Sequence, residues 1–221
     1  MISLHNVCKT YKTRKGFRAV LSNVSYTFPP GVSTGILGRN GAGKSTMLRI
    51  LGGSEMPDKG KVTREGKISW PLGFSGGFNS TLTGRENMRF TCRLYGENYK
   101  RVCEFVEEFS ELGEYMDMPI HTYSSGMKAK LAFGLSMAFD FDYYLIDEVT
   151  AVGDAVFKRK SREYFDRRRE SATLIVVSHS MGTIKALCDK MLVLYNGKLM
   201  EFPSNEEAEQ FYVEVCCGRK K

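Results

Sequence analysis

The chain has 221 residues, of which 42% are hydrophobic and 26% are charged, a composition typical of a soluble globular protein of about one large domain. No apolar run approaches the roughly 20 residues that a membrane-spanning helix needs, and the N-terminus lacks the apolar core of a signal peptide. The formal net charge of +7 is compatible with an anionic partner, but acids are mixed among the bases of the densest run, at 158–170, so we expect mainly a solvated surface.

Hydrophobic periodicity predicts an α/β protein with a helical insertion. Strands are predicted first at 2–8, 22–28, 32–37, 61–64 and 67–70, with a helix from Lys44 after the third. Helices follow at 84–95, 99–112 and 125–139, and Gly96 and Gly113 are expected to end the first two. Strands return at 143–147, 173–178, 191–195 and 198–202, with helical patterns between the first three. Asn196–Gly197 is predicted to form a hairpin turn, and Ser204 to cap a final helix at 204–213. The insertion covers about 78–138.

The segment GRNGAGKST (38–46) fits the spacing G-x-x-x-x-G-K-[ST] between an apolar strand and a helix. In that context the glycines let backbone N–H groups surround phosphate oxygens at the N-terminus of the helix. Lys44 would reach the β- and γ-phosphates, and Ser45 would hold Mg²⁺. The segment therefore predicts binding of a nucleoside triphosphate with Mg²⁺ by Gly38, Asn40, Gly41, Gly43, Lys44, Ser45 and Thr46.

Two carboxylates end the apolar strand YYLIDE (143–148). Asp147 can complete the Mg²⁺ shell, and Glu148 can orient and polarise an attacking water molecule. An acidic pair after a strand is common by itself. About a hundred residues after a phosphate loop, it predicts hydrolysis of the triphosphate.

The segment YSSGM (123–127) begins a long helix, and a capped core helix with an apolar face is its plainer interpretation. It also resembles the signature LSGGQ of ABC ATPases, with Ser125 at the first glycine and Met127 at the glutamine. AVGD, which contains Asp154, and VVSHS, which contains His179, follow in the order of that family. The chain thus resembles ABC ATPases over its whole length.

This resemblance implies the fold: a P-loop NTPase (RecA-like) core with an N-terminal antiparallel β subdomain and an inserted α-helical subdomain. The whole chain, 1–221, would be a single ABC ATPase domain. Residues 1–77 and 139–215 would form the catalytic core. Residues 78–138 would form the helical subdomain that carries the signature, and 216–221 a basic tail.

The resemblance also implies further site residues. Tyr11 should stack on the adenine of ATP, and His179 should contact the γ-phosphate. Ser124, Ser125 and Gly126 should face the ATP that is bound by the opposite subunit of a head-to-tail homodimer. Asp154 would link the two sites.

The family's loop glutamine is missing from the stretch ISWPLGFSGGFNSTLTGREN (68–87), since the one glutamine of the sequence is Gln210. Ser75 or Asn79 could supply a shorter polar contact in its place. The aromatic residues Trp70, Phe74 and Phe78 are interpreted as a contact for a helix of a membrane permease. The alternative is that they pack the junction between the core and the helical subdomain.

Together, ISWPLGFSGGF, LTGREN, YSSGM and DEVTAVGD resemble the ATP-binding subunits of capsular polysaccharide exporters of Gram-negative bacteria; Val149 replaces the proline that most ABC ATPases have. The resemblance implies a peripheral protein on the cytoplasmic face of the inner membrane. It would act with a permease dimer, and indirectly with a lipid-linked acidic polysaccharide and envelope export proteins.

Two alternatives remain open. An O-antigen or teichoic-acid exporter is the nearer one, although its ATPase often carries an added C-terminal domain. A soluble ABC ATPase acting on nucleic acid or the ribosome is the other. Such proteins generally have two cassettes or a long coiled coil, so we expect no nucleic acid partner.

Overall fold

The computed structural model describes residues 1–14, 16–72, 77–147, 155–216 and 218. Its strands are β1 (Ile2–Thr13), β2 (Gly16–Phe28), β3 (Thr34–Leu37), β4 (Lys59–Arg64), β5 (Tyr143–Asp147), β6 (Thr173–Ser178), β7 (Lys190–Tyr195) and β8 (Lys198–Glu201). Its α-helices are α1 (Lys44–Leu51), α2 (Gly84–Tyr95), α3 (Tyr99–Ser110), α4 (Ser125–Ala138), α5 (Ala155–Arg169), α6 (Met181–Leu187) and α7 (Asn205–Phe211). Short 3₁₀ turns cover Gly113–Asp117 and Ile120–Thr122, and a π-helical turn covers Tyr212–Cys216.

The chain divides into two compact units. The core unit comprises Met1–Pro71, Phe141–Glu148 and Ser171–Lys221, and the helical unit comprises Leu72–Asp140 and Val149–Glu170. The core unit contains both β-sheets, and the helical unit contains α2, α3, α4 and α5.

An antiparallel sheet with the strand order β2-β1-β4 forms the first part of the core unit. Its hairpin is longer than the sequence predicted, because pairing continues to Thr13 opposite Gly16. Ile2, Leu4 and Val7 of β1 are buried, and they join one hydrophobic core with α1 and the second sheet.

The second sheet has the order β5-β6-β3-β7-β8. Its first four strands are parallel, and β8 runs antiparallel to β7. Strands β3 and β6 are buried along their whole length, as expected for a parallel sheet that is covered on both faces. Asn196 and Gly197 have φ values of 47° and 76°, which confirms the predicted hairpin turn because such turns need two positive φ angles.

The predicted strand at 67–70 is wrong. Only an isolated bridge joins Ile68 to Tyr143. At the next position the Leu145 N–H donates to the side-chain oxygen of Ser69, at 2.9 Å. A side chain thus replaces the backbone acceptor, and Pro71 has no N–H to continue a ladder.

Local capping explains where the helices of the helical unit begin and end. Thr83 and Glu86 form a capping box at the start of α2, and Gly96 ends it with φ 70°. Helix α3 ends before the predicted Gly113, because Glu111 adopts the left-handed conformation with φ 54°. Lys160 stabilises this end: its Nζ donates to the carbonyl oxygens of Glu108 and Phe109, at 3.1 and 3.2 Å, and to the Glu111 carboxylate, at 2.9 Å.

An aromatic cluster around Phe109 holds the helical unit together. The centroid of the Phe109 ring lies 5.7 Å from that of Phe105, 5.6 Å from Phe133, 5.4 Å from Phe157 and 5.1 Å from Tyr164. These rings come from α3, α4 and α5. Helix α5 therefore packs within the helical unit.

Within the described ranges, no helix combines the length and the hydrophobicity that crossing a lipid bilayer requires.

The first prediction concerns the aromatic cluster. Phe109 is 1% exposed, so Phe109→Ala should destabilise the protein by about 3–5 kcal/mol through the cavity it leaves. Urea denaturation followed by circular dichroism measures this. Phe90→Ala is the matched control, since Phe90 is 63% exposed and its loss should change stability by no more than about 0.5 kcal/mol. Equal effects of the two substitutions would contradict the cluster's role.

Candidate functional site

The candidate site lies at one edge of the five-stranded sheet. Strands β5, β6 and β3 are parallel neighbours, with Asp147 opposite Val177 and Leu37 opposite Ser178. The residues that follow these strands therefore emerge at the same edge, where open α/β sheets bind their ligands. The phosphate loop after β3, Asp147 at the end of β5 and His179 after β6 meet there.

Two glycines bend the phosphate loop. Gly41 and Gly43 have φ values of 77° and 108°, and Gly43 is the N-cap residue of α1. A β-carbon on Gly43 would lie 2.3 Å from Cγ1 of Val20, so no larger residue fits. Among the described residues no side chain caps α1, which leaves its first N–H groups available to a phosphate.

Lys44 folds back across this loop. Its Nζ donates to the carbonyl oxygens of Gly38, at 2.7 Å, and Arg39, at 3.2 Å. Lys44 is 7% exposed. Burial lowers the pKa of its ammonium below the ordinary value, and the negative charge of Asp147 acts in the opposite direction. A cation held in this way beside a ring of backbone dipoles forms an anion-binding cradle.

The polar groups around Lys44 fit a magnesium nucleotide. The hydroxyl of Ser45 is exposed at the start of α1, and Asn40 is exposed on the loop. Asp147 adds a carboxylate at the same edge. The parts of the chain that the structure describes contain no cluster of three or more His, Cys, Asp or Glu side chains that could hold a metal ion. Mg²⁺ usually takes one or two protein oxygens together with phosphate oxygens and water, and Ser45 and Asp147 offer such oxygens here.

Tyr11 lies on β1, next to the first turn of α1. Its hydroxyl is 2.5 Å from Oε1 of Glu55, 3.2 Å from Oγ1 of Thr46 and 3.3 Å from Nη2 of Arg49. The structure thus brings the residue predicted to meet adenine to a residue of the phosphate-binding segment. The stacking itself stays a prediction.

His179 is exposed between the last residue of β6 and the N-cap of α6. The hydroxyl of Tyr212 donates to its carbonyl oxygen at 3.2 Å. The Ser180 hydroxyl accepts from the Thr183 N–H at 3.4 Å and caps α6. These bonds fix the backbone on both sides of the imidazole.

The signature segment lies in the helical unit. Ser124 caps α4 by accepting a hydrogen bond from the Met127 N–H at 3.2 Å, which confirms that this helix is capped. Ser124 and Ser125 are exposed. Among the described residues, a β-carbon on Gly126 would come within 4 Å of the Ser124 hydroxyl alone, at 3.8 Å, so packing against that part of the chain does not require glycine at this position.

The loop residues have local roles. The ring of Trp70 makes an edge-to-face contact with Phe141, with a centroid distance of 5.4 Å, as expected for core packing. Asn79 forms the turn before α2: its side-chain oxygen accepts from the N–H and the hydroxyl of Thr81, at 3.0 and 2.8 Å. Phe78 is half-buried.

Four predicted site residues lie outside the described residues. They are Phe74, Ser75, Glu148 and Asp154.

The sequence did not indicate two arginines that contact the phosphate-binding segment. Nη2 of Arg18 donates to the Gly41 carbonyl oxygen at 2.9 Å, and Nη2 of Arg49 donates to Oγ1 of Thr46 at 3.2 Å. A groove of about 570 Å³ runs along the outer side of the loop, lined by Arg18–Val20, Arg39–Ala42, Leu194–Gly197 and Val215. No local pattern marks Arg18, because the contact joins β2 to a loop twenty residues later.

Comparison with known proteins agrees with this geometry. Residues 21–151 match the model of the ABC transporter family. The chain is 56% identical to the polysialic acid transport ATP-binding protein KpsT of Escherichia coli, over 88% of this chain and 90% of that protein. It is 49% identical to the capsule polysaccharide export ATP-binding protein CtrD of Neisseria meningitidis, over 96% of this chain and 98% of that protein.

A solved structure supports the fold. The ATP-binding cassette MJ0796, in a dimeric post-hydrolysis state bound to ADP and Pi, aligns with a TM-score of 0.75 at 23% identity, over 92% of this chain and 100% of that one. The predicted fold class, a P-loop NTPase core with an antiparallel β subdomain and a helical subdomain, is confirmed.

The second prediction tests the shape of the loop. Gly43→Ala should weaken ATP binding and reduce stability by about 1–3 kcal/mol, because the left-handed backbone is strained for alanine and its methyl group would overlap Val20. Binding of a fluorescent ATP analogue and thermal unfolding measure the two effects.

Gly77→Ala is the control for this substitution, since a β-carbon there would have no atom of the described residues within 4 Å. Parent affinity for ATP in Gly43→Ala would show that the close contact with Val20 is not needed for binding.

Proposed function

This chain belongs to the ABC transporter family, and on that premise we propose that it is the ATP-hydrolysing subunit of an exporter of capsular polysaccharide. The observation that carries the substrate class is the similarity, over nearly the full length of both chains, to proteins named for polysialic acid transport and capsule polysaccharide export. The fold and the phosphate loop supply the ATPase part of the proposal.

The proposed nucleotide site uses the sheet edge described above. Lys44 and the N–H groups at the start of α1 bind the β- and γ-phosphates, and the Tyr11 ring meets the adenine. Ser45 and Asp147 would hold Mg²⁺, which when bound would neutralise negative charge on the phosphate oxygens. The exposed Ser45 hydroxyl and the influence of Asp147 on the pKa of Lys44 support this assignment.

Hydrolysis needs an oriented water molecule. Glu148, directly after Asp147, is proposed to position that water and accept its proton. His179 is proposed to contact the γ-phosphate, and its exposed position at the end of β6, between two backbone anchors, supports this role. His179 would thus contact the γ-phosphate that Lys44 binds, while Glu148 would act on the water that attacks it.

We infer that two copies of the chain assemble head to tail. Ser124, Ser125 and Gly126 would then face the ATP of the opposite subunit, and Asp154 would link the two sites. The exposure of the two serines, and the open space that the described residues leave around Gly126, support this inference. A glycine that packing does not require suits a place where another molecule approaches the backbone closely.

A separate permease dimer is the proposed partner in the membrane, so this chain would lie on the cytoplasmic face of the inner membrane. The proposed contacts are Trp70, Phe74 and Phe78, whose aromatic side chains suit the docking of a helix of the permease. The polysaccharide would pass through the permease. The chain would couple ATP turnover to its movement without binding sugar itself.

The third prediction tests the catalytic base. Glu148→Gln in the complex with its permease should retain ATP binding and lower phosphate release by about 10²–10⁴-fold, the usual contribution of general base catalysis. Glu65→Gln is the control, because the Glu65 side chain is 72% exposed and its loss should leave the rate unchanged. Hydrolysis by Glu148→Gln at the parent rate would remove Glu148 from this role.

The fourth prediction tests the substrate class. Mild detergent extraction of the tagged chain from its native membranes should recover a multi-span permease, and mass spectrometry should detect a capsule-type glycolipid. Recovery of an O-antigen or teichoic-acid glycan would show that the chain serves one of those exporters and not a capsule exporter. Recovery from the soluble fraction only, with RNA or ribosomal proteins, would overturn the export function.

A further inference from the structure

The Tyr11 hydroxyl lies at the centre of a side-chain network that connects β1 to α1 and to the loop after α1. The network comprises Lys9, Tyr11, Thr46, Arg49, Glu55 and Asp58. Glu55 joins its parts: Oε1 accepts from Tyr11 at 2.5 Å and pairs with Lys9 at 3.2 Å, and Oε2 accepts from Nε of Arg49 at 2.9 Å.

The hydrogen-bond donors in this network can be assigned from charge. Burial acts to raise the pKa of Glu55, but hydrogen bonds from Tyr11, Arg49 and Lys9 outweigh it and hold the pKa below its ordinary value. Glu55 is therefore a carboxylate at neutral pH and only accepts. Since Tyr11 has a single hydroxyl proton, it donates that proton to Glu55 and accepts from Thr46 and Arg49.

Glu55 is itself held in place. Its side chain is 18% exposed, and its N–H donates to the carbonyl oxygen of Arg49 at 3.2 Å. Nζ of Lys9 donates to the carbonyl oxygen of Met56, the next residue, at 2.8 Å. A carboxylate fixed by backbone and side-chain contacts in this way can define where its own partner lies.

We propose that Glu55 is a positioning residue for nucleotide binding, which holds the Tyr11 ring beside the first turn of α1 so that it meets adenine while Lys44 binds the triphosphate. The proposal rests on the adenine contact proposed above for Tyr11. Its physical basis is preorganisation: a ring already fixed by its hydroxyl loses less rotamer freedom when a base stacks on it. Thr46 extends the effect, because its hydroxyl ties the ring to the segment that carries Lys44 and Ser45.

The test compares two ligands, Mg·ATP and Mg·tripolyphosphate, which has the phosphates but no base. Tyr11→Phe keeps the ring and removes the hydroxyl, and Glu55→Met removes the acceptor. Each should weaken ATP binding by about three- to tenfold, the scale of one hydrogen bond, and leave the affinity for tripolyphosphate unchanged. The two single substitutions remove the same contact, so the affinity of the double variant for ATP should be no lower than that of the single variant with the lower affinity.

Asp58→Asn is the matched control. Asp58 also pairs with Lys9, at 3.2 Å, and accepts from the Thr10 N–H at 2.6 Å, but it has no bond to Tyr11. The asparagine oxygen can still accept from Thr10, so the affinity for both ligands should stay at the parent value. Isothermal titration calorimetry gives the affinities, and circular dichroism shows that each variant is folded.

The affinities of these variants distinguish a positioning role of Glu55 from simple support of α1. Equal weakening of both ligands by Glu55→Met would mean that Glu55 only supports α1, and the inference would be overturned. A third result is that Tyr11→Ala weakens the binding of ATP but not of tripolyphosphate, while Tyr11→Phe binds ATP with the parent affinity. That result would support the adenine contact and reject the positioning role. Tyr11→Ala with parent affinity for ATP would reject the adenine contact itself. If Glu55→Met does not fold, Tyr11→Phe decides the question by itself.

Discussion

The close approach of β2 to the phosphate loop is the constraint on which the rest of the core unit depends. Gly43 of the loop lies against Val20, since a β-carbon on it would be 2.3 Å from Cγ1 of Val20. Two residues further along β2, the N–H of Ser22 donates to the carbonyl oxygen of Gly197 at 2.8 Å. A β-carbon on Gly197 would lie 3.1 Å from the Ser22 hydroxyl, so two glycines let the backbone approach this part of β2 closely. The antiparallel hairpin, the loop and the edge of the parallel sheet are therefore fixed together.

The two units rely on different interactions. In the core unit, buried parallel strands bring Asp147, His179 and the loop to one edge because their register is shared. In the helical unit, aromatic rings and one ammonium group organise the helices. Lys160 stacks over Phe109, with 5.2 Å from Nζ to the ring centroid, while it caps α3. The signature helix α4 contributes Phe133 to the same cluster, so its position depends on the aromatic packing.

The sequence predicted the structural features that depend on residues close together in the chain. Helix α2 has the bounds expected from its periodicity, because the capping box at Thr83 and the left-handed Gly96 lie next to it in the chain. The phosphate loop was recognised for the same reason, since its glycines and lysine form one short motif. The features that depend on contacts between residues far apart in the chain were not predicted. Lys160 sets the end of α3 from fifty residues away, and the hydroxyl of Ser69 prevents a strand that local pattern favours. The contact between Tyr11 and Glu55 left no pattern, because it spans 44 positions.

The two bonds from Lys44 to the carbonyl oxygens of Gly38 and Arg39 have a consequence for repeated turnover. A phosphate that reaches this ammonium exchanges existing bonds for new ones, so the net gain in free energy is a difference between the two sets. When the phosphate leaves, the ammonium returns to the carbonyls and does not remain as an unpaired buried charge, which would be strongly destabilising. The loop thus provides hydrogen-bond acceptors for the Lys44 ammonium when no phosphate is bound. These carbonyl bonds lower the net gain in free energy from phosphate binding and avoid an unpaired charge when the product departs.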